Sequence, residues 1–240
     1  MKHYWINVDE SVYRYAFMKQ QFDRLGIENS RVSAVTPSDM KGLKILKSLD
    51  SKENDVEIAV TLSHIKAIKQ GYDDGDEYFC VMEDDMFIPN VDFEKMFKYM
   101  KDTGDDSIEA VQLFTSSNVL ILDLFNKYIK DGVSRFLVKR DGDYPCAGYY
   151  MISRSGAKKL LDLFIKSEGV YDLCFSGWVA ADNIIYKPIN SYILTYPITI
   201  PNIDCGSLIH PEHLVHHNAA NNMVMAIHKN FNILDYFIAS

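Results

Sequence analysis

Glu83, Asp84 and Asp85 close an apolar, β-prone run that begins at Tyr78. Three adjacent carboxylates repel one another unless a positive charge sits among them. A hard divalent cation is the simplest such charge, because it takes carboxylate oxygens as ligands. In an open α/β sheet, ligands bind outside the carboxyl ends of the strands, which is where these acids would stand. The competing reading is an acidic turn that only stops a strand. Alternation along a strand predicts Glu83 and Asp85 on one side and Asp84 on the other.

Other chemistry-bearing residues lie at some distance along the chain. Glu57 and His64 are seven apart, two helical turns on nearly one face. A lone histidine there is also compatible with a core residue bonded to a carbonyl. Asn7, Asp9 and Arg14 sit at or just past the first apolar stretch, where a polar group can reach a base edge, a ribose hydroxyl or a phosphate. Their plainer roles are a helix cap for Asp9 and a solvated charge for Arg14. The run His210-Pro211-Glu212-His213-Leu214-Val215-His216-His217 is not H-E-x-x-H, and no cysteine pair supports a structural zinc site. Solvated loop histidines are the favoured reading.

The elements that must position these groups follow from periodicity and punctuation. A strand over Tyr4–Val8 leads to a helix that Asp9 or Ser11 caps and Gly26 ends. Arg31–Val35 is a second strand, giving a strand–helix–strand unit with a parallel pair. Residues 40–55 read as a loop or partial helix. A helix over Glu57–Gln70 is closed by Gly71. Asp92 caps a helix to Met100, and Ala110–Phe114 is a strand. Asn118–Lys130 is helical, and Phe136–Val138 is a short strand. Gly148–Ser153 is a strand running directly into a helix from Ala157. Tyr149 and Tyr150 must face opposite sides of it. Asp182 caps a helix beginning at Asn183, and Ser191–Tyr196 is the last strand.

The chain has 240 residues, 48% of them hydrophobic and 24% charged, enough for a sizeable core. Its net charge of -8 argues against a nucleic-acid or anionic-membrane surface. No apolar run is long enough to span a bilayer, and the N-terminal one is too short for a signal peptide. Four widely spaced cysteines suggest reduced thiols. We therefore expect a cytoplasmic protein, of a bacterium or of a virus replicating in host cytoplasm.

Several separated pieces together resemble glycosyltransferase family 25, which includes lipopolysaccharide, lipooligosaccharide and collagen galactosyltransferases. Trp5-Ile6-Asn7-Val8-Asp9 with Arg14 is similar to the family's "I-N-L-D…R" opening. Ser33-Ala34-Val35 resembles its second strand. Glu57 with Leu62-Ser63-His64 is similar to its "E…L-S-H" helix, and Val81-Met82-Glu83-Asp84-Asp85 to its "V-L/M-E-D-D". Gly148-Tyr149-Tyr150-Met151-Ile152-Ser153 and Gly156-Ala157-Lys158-Lys159-Leu160-Leu161 resemble its "G-x-Y-x-I-S…G-A-x-K-L-L", and Asp182 follows where the family has an aspartate. These pieces cover about the first 200 residues. The tail beyond Pro201 matches poorly.

The resemblance implies an α/β fold of GT-A type, a single domain with a mostly parallel central sheet flanked by helices. Within it a nucleotide-sugar-binding part would cover about residues 1–115 and an acceptor-side part about 116–240. It implies a metal-dependent, inverting transfer of a hexose (galactose, glucose or an N-acetylhexosamine) from a UDP-sugar donor to a glycan or glycoprotein hydroxyl. Mn²⁺ or Mg²⁺ would be held by Asp85 and Glu83. Asn7, Asp9, Arg14, Ser63, His64, Asp84 and Tyr149 would contact the donor. Asp182 would be the general base, with Glu57 and then Asp143 the next candidates, and His213, His216 or His217 could add a metal ligand. The alternative is a non-catalytic nucleotide-sugar or glycan-binding module of the same fold. A phosphoester hydrolase would need more carboxylate and histidine ligands near the acids.

Overall fold

The structure is a computed structural model and describes residues 1–48, 53–103, 107–130, 135–176, 179–206 and 214–231. The N-terminal apolar run forms β1 (His3–Asn7), every residue of which is buried. α1 (Val12–Leu25) follows and stops at Gly26, whose φ of 64° is open to glycine without a Cβ clash. β2 (Asn29–Ser33) then pairs parallel to β1, as the strand–helix–strand pattern predicts. The expected loop or partial helix over 40–55 contains a strand instead, β3 (Lys44–Leu46), while residues 49–52 lie outside the described residues.

α2 (Asp55–Asp74) is longer than expected at both ends. Asn54 and Glu57 form a reciprocal capping box at its start. Gly71 does not close it, because the helix continues to a left-handed cap at Gly75. The glycine is there for another reason: a Cβ would lie 2.5 Å from the ring of Phe79. That close approach seats α2 on β4 (Tyr78–Glu83), whose central residues are fully buried.

α3 (Phe93–Thr103) begins after Asp92, which accepts from the Glu94 and Lys95 N–H groups. β5 (Ala110–Gln112), α4 (Asn118–Phe125) with a π turn to Lys130, and β6 (Leu137–Lys139) come next. β7 (Tyr149–Ser153) runs directly into α5 (Arg154–Phe164), as the sequence suggests. Ser153 accepts from Gly156 N–H, and a Cβ on Gly156 would meet the Glu109 carbonyl at 2.8 Å. β8 (Ile165–Ser167), β9 (Val170–Asp172), α6 (Ala181–Tyr186), β10 (Ser191–Leu194) and α7 (Leu214–Asn230) complete the order.

The main sheet has seven strands in the order β2-β1-β4-β7-β5-β10-β6. β1, β2, β4, β5 and β10 run one way, and only β7 and β6 oppose them. This is the expected mixed, mostly parallel α/β sheet. Helices cover both faces. Trp5, Met82 and Tyr149 pack toward Phe22, Phe93, Phe97 and Val224 on one side. Tyr4, Val81 and Tyr150 pack toward Leu62, Leu160 and Ile185 on the other. β3, β9 and β8 form a small second sheet. All four cysteines are free thiols, and no helix among the described residues is long and apolar enough to cross a membrane.

Candidate active site

β4 ends at Glu83, so Asp84 and Asp85 lie in the turn beyond it and strand alternation does not govern them. Glu83 and Asp85 still act on one another's charge, and Arg14 adds a second grouping around the turn. Arg14 reaches from α1 into the turn. Its Nη1 donates to Asp84 Oδ1 at 2.6 Å and lies 3.2 Å from Asp85 Oδ2. Asn7, at the end of β1, donates to Asp84 Oδ2 at 2.6 Å and accepts from Arg31 Nε. Both Asp84 oxygens are thus engaged by protein. Arg14 Nη2 also donates to the carbonyls of Cys205 and Gly206, and Asn202 N–H donates to the Asp85 carbonyl. Asp9 is exposed and pairs with Arg31 rather than capping α1.

Glu83 turns the other way, toward α2. It shares a sheet face with Val81, and Val81 is in register with Tyr150 on β7. His64 descends onto that face, with Nε2 3.3 Å from Glu83 Oε1 and Nδ1 3.2 Å from the Tyr150 hydroxyl. The histidine is 1% exposed, so it is enclosed rather than lining an open cleft. Ser63, its neighbour, accepts from Val35 N–H and donates to Ala59, tying α2 to the segment after β2. Tyr149, expected to contact the donor, is fully buried on the opposite face, where its hydroxyl meets His3 Nε2 at 2.7 Å. It packs under Phe93, out of reach of a ligand beside the acids. The strand period separated the two tyrosines correctly but could not say which side faced α2.

Asp182 lies in the first turn of α6, and Ala180 occupies the N-cap position expected for it. Its Oδ2 accepts from Cys146 N–H at 3.3 Å. Two residues on, the Gly148 carbonyl accepts from Glu83 N–H at 2.8 Å. A three-residue bridge, Cys146-Ala147-Gly148, therefore joins Asp182 to the end of β4. Cys146 holds a φ of 98°, a conformation that costs a non-glycine residue of order 1–3 kcal/mol. Gln112, fully buried, donates from one amide to the carbonyls of Cys146 and Phe114 and also approaches those of Tyr144 and Pro145. Arg140 donates to Gln112 and to Tyr144 and lies over the Tyr186 ring. Gln112, Arg140 and Cys146 were missed in the sequence, and of the two tyrosines it is Tyr150, rather than the expected Tyr149, that stands at the site. A glutamine inside the run Ala110-Val111-Gln112-Leu113-Phe114 was the available signal, since a buried amide needs partners.

Glu57 closes the capping box of α2, accepting from Asn54 N–H. Asp143 is 86% exposed and faces Lys187. His217, in the first turn of α7, is near enough to Glu83 to act on its charge. His216 is exposed, and His210, His213 and Trp178 lie outside the described residues. A cavity of about 550 Å³ opens at the other end of β4 beside Met1, Lys2, Tyr78 and Lys101 and holds none of the expected site residues.

The charges separate the acids. Burial, then repulsion from Glu83, lifts the Asp85 carboxyl to about 7 against the pull of Arg14. Burial also raises Asp84, although Arg14 and Asn7 oppose it. For Glu83 burial is the largest influence and acts upward, but His64, Arg14 and His217 together outweigh it and leave the carboxyl below its ordinary value. The Glu83 side chain is still 30% exposed, and among the described residues no hydrogen bond engages its Oε2. Glu83 is thus the partly exposed acid with an unengaged oxygen, while Arg14 stands against Asp84 and Asp85.

No curated relative matches the chain. Among solved structures, it is similar to a glycosyltransferase involved in glycosylation of the major capsid of PBCV-1, at 12% identity and a TM-score of 0.40, covering 93% of this chain and 98% of that one. It is also similar to glucosyl-3-phosphoglycerate synthase from Mycobacterium tuberculosis, solved with Mn²⁺, UDP and phosphoglyceric acid, at 12% identity and a TM-score of 0.28, covering 68% and 57%. A family model described as glycosyltransferase family 25 (LPS biosynthesis protein) matches residues 1–175, which include β1, β4, β7 and every acid of the cluster. The chain belongs to glycosyltransferase family 25.

Proposed function

We propose that this glycosyltransferase moves a hexose (galactose, glucose or an N-acetylhexosamine) from a UDP-sugar to a glycan or protein hydroxyl, with inversion at the anomeric carbon. The supporting observation is the convergence of Glu83, Asp84 and Asp85 with Asn7, Arg14 and His64 at the carboxyl end of β4. Asp182 approaches from the far side of the Cys146–Gly148 bridge.

The residues fit a hard divalent cation. Burial, and then the neighbouring Glu83 charge, keep the Asp85 proton up to about 7, so a cation between the two carboxylates would be stabilised. Among the described residues there is no ready-made group of three His, Cys, Asp or Glu ligands. Mg²⁺ and Mn²⁺ bind through one or two carboxylates and complete their shells with water and phosphate oxygens. Glu83 and Asp85 would hold the ion, with His217, whose charge reaches Glu83, as a further candidate ligand. When bound, it supplies the dication that stabilises a leaving diphosphate.

The chain's own residues do the rest. Asn7 and Arg14 fix Asp84, and through it the turn that presents Asp85. Asp182 takes the proton from the acceptor hydroxyl at Oδ2, the oxygen that Cys146 N–H orients. Asp84, with both oxygens engaged, braces the site in place of the sugar contact expected for it. Ser63 and His64 act from behind the site.

One observation favours a second reading. Arg14 already stands 3.2 Å from Asp85, where it could serve as the counter-charge in a metal-free reaction. Donor hydrolysis and transfer assays with UDP-galactose, UDP-glucose and UDP-N-acetylglucosamine, run with Mn²⁺ and with EDTA, separate the possibilities. Turnover that requires Mn²⁺ and is lost in Asp85→Ala supports the first reading. EDTA-resistant turnover lost in Arg14→Met supports the second. UDP binding with no turnover of any donor sinks both and leaves a binding module.

A further inference from the structure

We propose that His64 and Tyr150 are positioning residues that aim the Glu83 carboxylate, tying Oε1 back into the protein so that Oε2 faces the cleft. The inference rests on the metal–donor reading of Glu83. It departs from the expectation that His64 touches the donor.

An ionised carboxylate only accepts hydrogen bonds, so the imidazole presents Nε2–H to Glu83 Oε1. In the neutral ring Nδ1 then accepts from the Tyr150 hydroxyl. Neither anchor has room to move. Tyr150 is fully buried on β7, held in register with Val81 and packed edge-on to Tyr186 with ring centroids 5.8 Å apart. His64 is 1% exposed on α2, and its ring is tilted over Tyr150 at 5.8 Å. Glu83 is the one partly exposed member, a strand-end side chain 30% exposed. A carboxylate with a long side chain at an open edge samples several rotamers, and one fixed donor at Oε1 selects among them. The relay crosses three elements, α2, β4 and β7, so it forms only when the helix, the central strand and the reversed strand are docked together. Groups that orient a ligating side chain from behind typically change metal affinity or activity by about 10–100-fold when removed.

Substitution at His64 tests this through binding rather than turnover. Mn²⁺ affinity is measured by calorimetry with UDP present, for the wild type, Glu83→Gln, His64→Phe, His64→Gln, His64→Asn and Tyr150→Phe. We expect His64→Phe to weaken Mn²⁺ binding by about 10–100-fold. His64→Gln, whose amide nitrogen takes the place of Nε2, should recover most of that loss. His64→Asn, whose shorter amide sits near the Nδ1 position, should not. Tyr150→Phe should fall between. If His64→Phe does not fold, the Gln and Asn variants decide, because both are polar and differ in reach. Equal Mn²⁺ binding by those two, or wild-type binding by His64→Phe while Glu83→Gln is impaired, overturns the positioning role. No Mn²⁺–UDP binding by the wild type, or an unchanged Glu83→Gln, overturns the metal–donor reading beneath it.

Discussion

Removing the Arg14 charge should expose how the acidic turn is stabilised. Arg14 and Asp84 side chains are 7% and 6% exposed, and their contact is 2.6 Å. Replacing arginine by methionine keeps much of the stem's apolar packing and deletes the guanidinium. It leaves Asp84 buried with Asn7 as its one remaining donor among the described residues and removes the opposing charge from Asp85. Breaking a buried ion pair from one side costs about 3–5 kcal/mol, because the partner is left uncompensated. For a chain of this size each kcal/mol is worth about 2–4 °C, so Tm should fall by about 6–20 °C. The loss should shrink in Arg14→Met/Asp84→Asn, since the amide no longer demands a counter-charge. Mn²⁺ should restore more stability to Arg14→Met than to the wild type. Saturation at about a hundred times Kd is worth about 2.7 kcal/mol, and in the wild type Arg14 competes for Asp85. Differential scanning calorimetry with and without Mn²⁺ reads all three. A single variant within about 2 °C of wild type, or a double variant that sums the two single effects, would refute the argument that this pair neutralises the turn.

Three other outcomes follow from the geometry. A carboxyl raised on folding binds a proton that the unfolded chain releases, so the Asp85 contribution to stability is greatest near pH 4 and declines as pH rises to about 7. Metal-free Asp85→Asn should lose that slope in thermal melts, and Mn²⁺ affinity of the wild type should strengthen across the same window as the proton is displaced. Gly71→Ala should destabilise by about 1–3 kcal/mol despite alanine's better helix propensity, because the new methyl meets the Phe79 ring. Urea denaturation checks it, and an unchanged midpoint would mean that α2 lifts freely off β4. Asp182→Asn should lower kcat by about 10²–10⁴-fold while UDP affinity holds. A comparable loss of UDP binding would place Asp182 on the donor side.

Much of the scaffold was legible because local rules decided it. The apolar run into Glu83 could only be a buried strand end, and Ser153 with Gly156 marked a strand turning into a helix. The acids were visible as a site, but their partners were not. Nothing near Arg14 in sequence points to Asp84, seventy residues away, and only the parallel pairing of β1 with β4 brings them together. Gly71 looked like a helix stop because the ring it accommodates belongs to the next element. Tyr149 and Tyr150 were separable by period but not assignable to a face, since the phase of a fully buried strand is set by its neighbours. The strand Lys44–Leu46 was invisible because its pairing partner, Val170–Asp172, is remote and both are short.

The reversed strand β7 has a bearing on how the molecule assembles. It alone connects the sheet's two sides, with β2, β1 and β4 on its left and β5, β10 and β6 on its right. Each side has only its own internal pairings until Tyr149–Ser153 is inserted between them. The Cys146–Gly148 bridge is the lead-in to that strand, so the contact of Asp182 with Cys146 and that of Gly148 with Glu83 both depend on β7 standing between the two sides. Amide exchange should therefore report β4 and β7 as one cooperative unit, opening only with global unfolding. A folding intermediate with either side formed alone would be catalytically silent, however native its strands, and would expose the two inner strand edges to pairing with another chain.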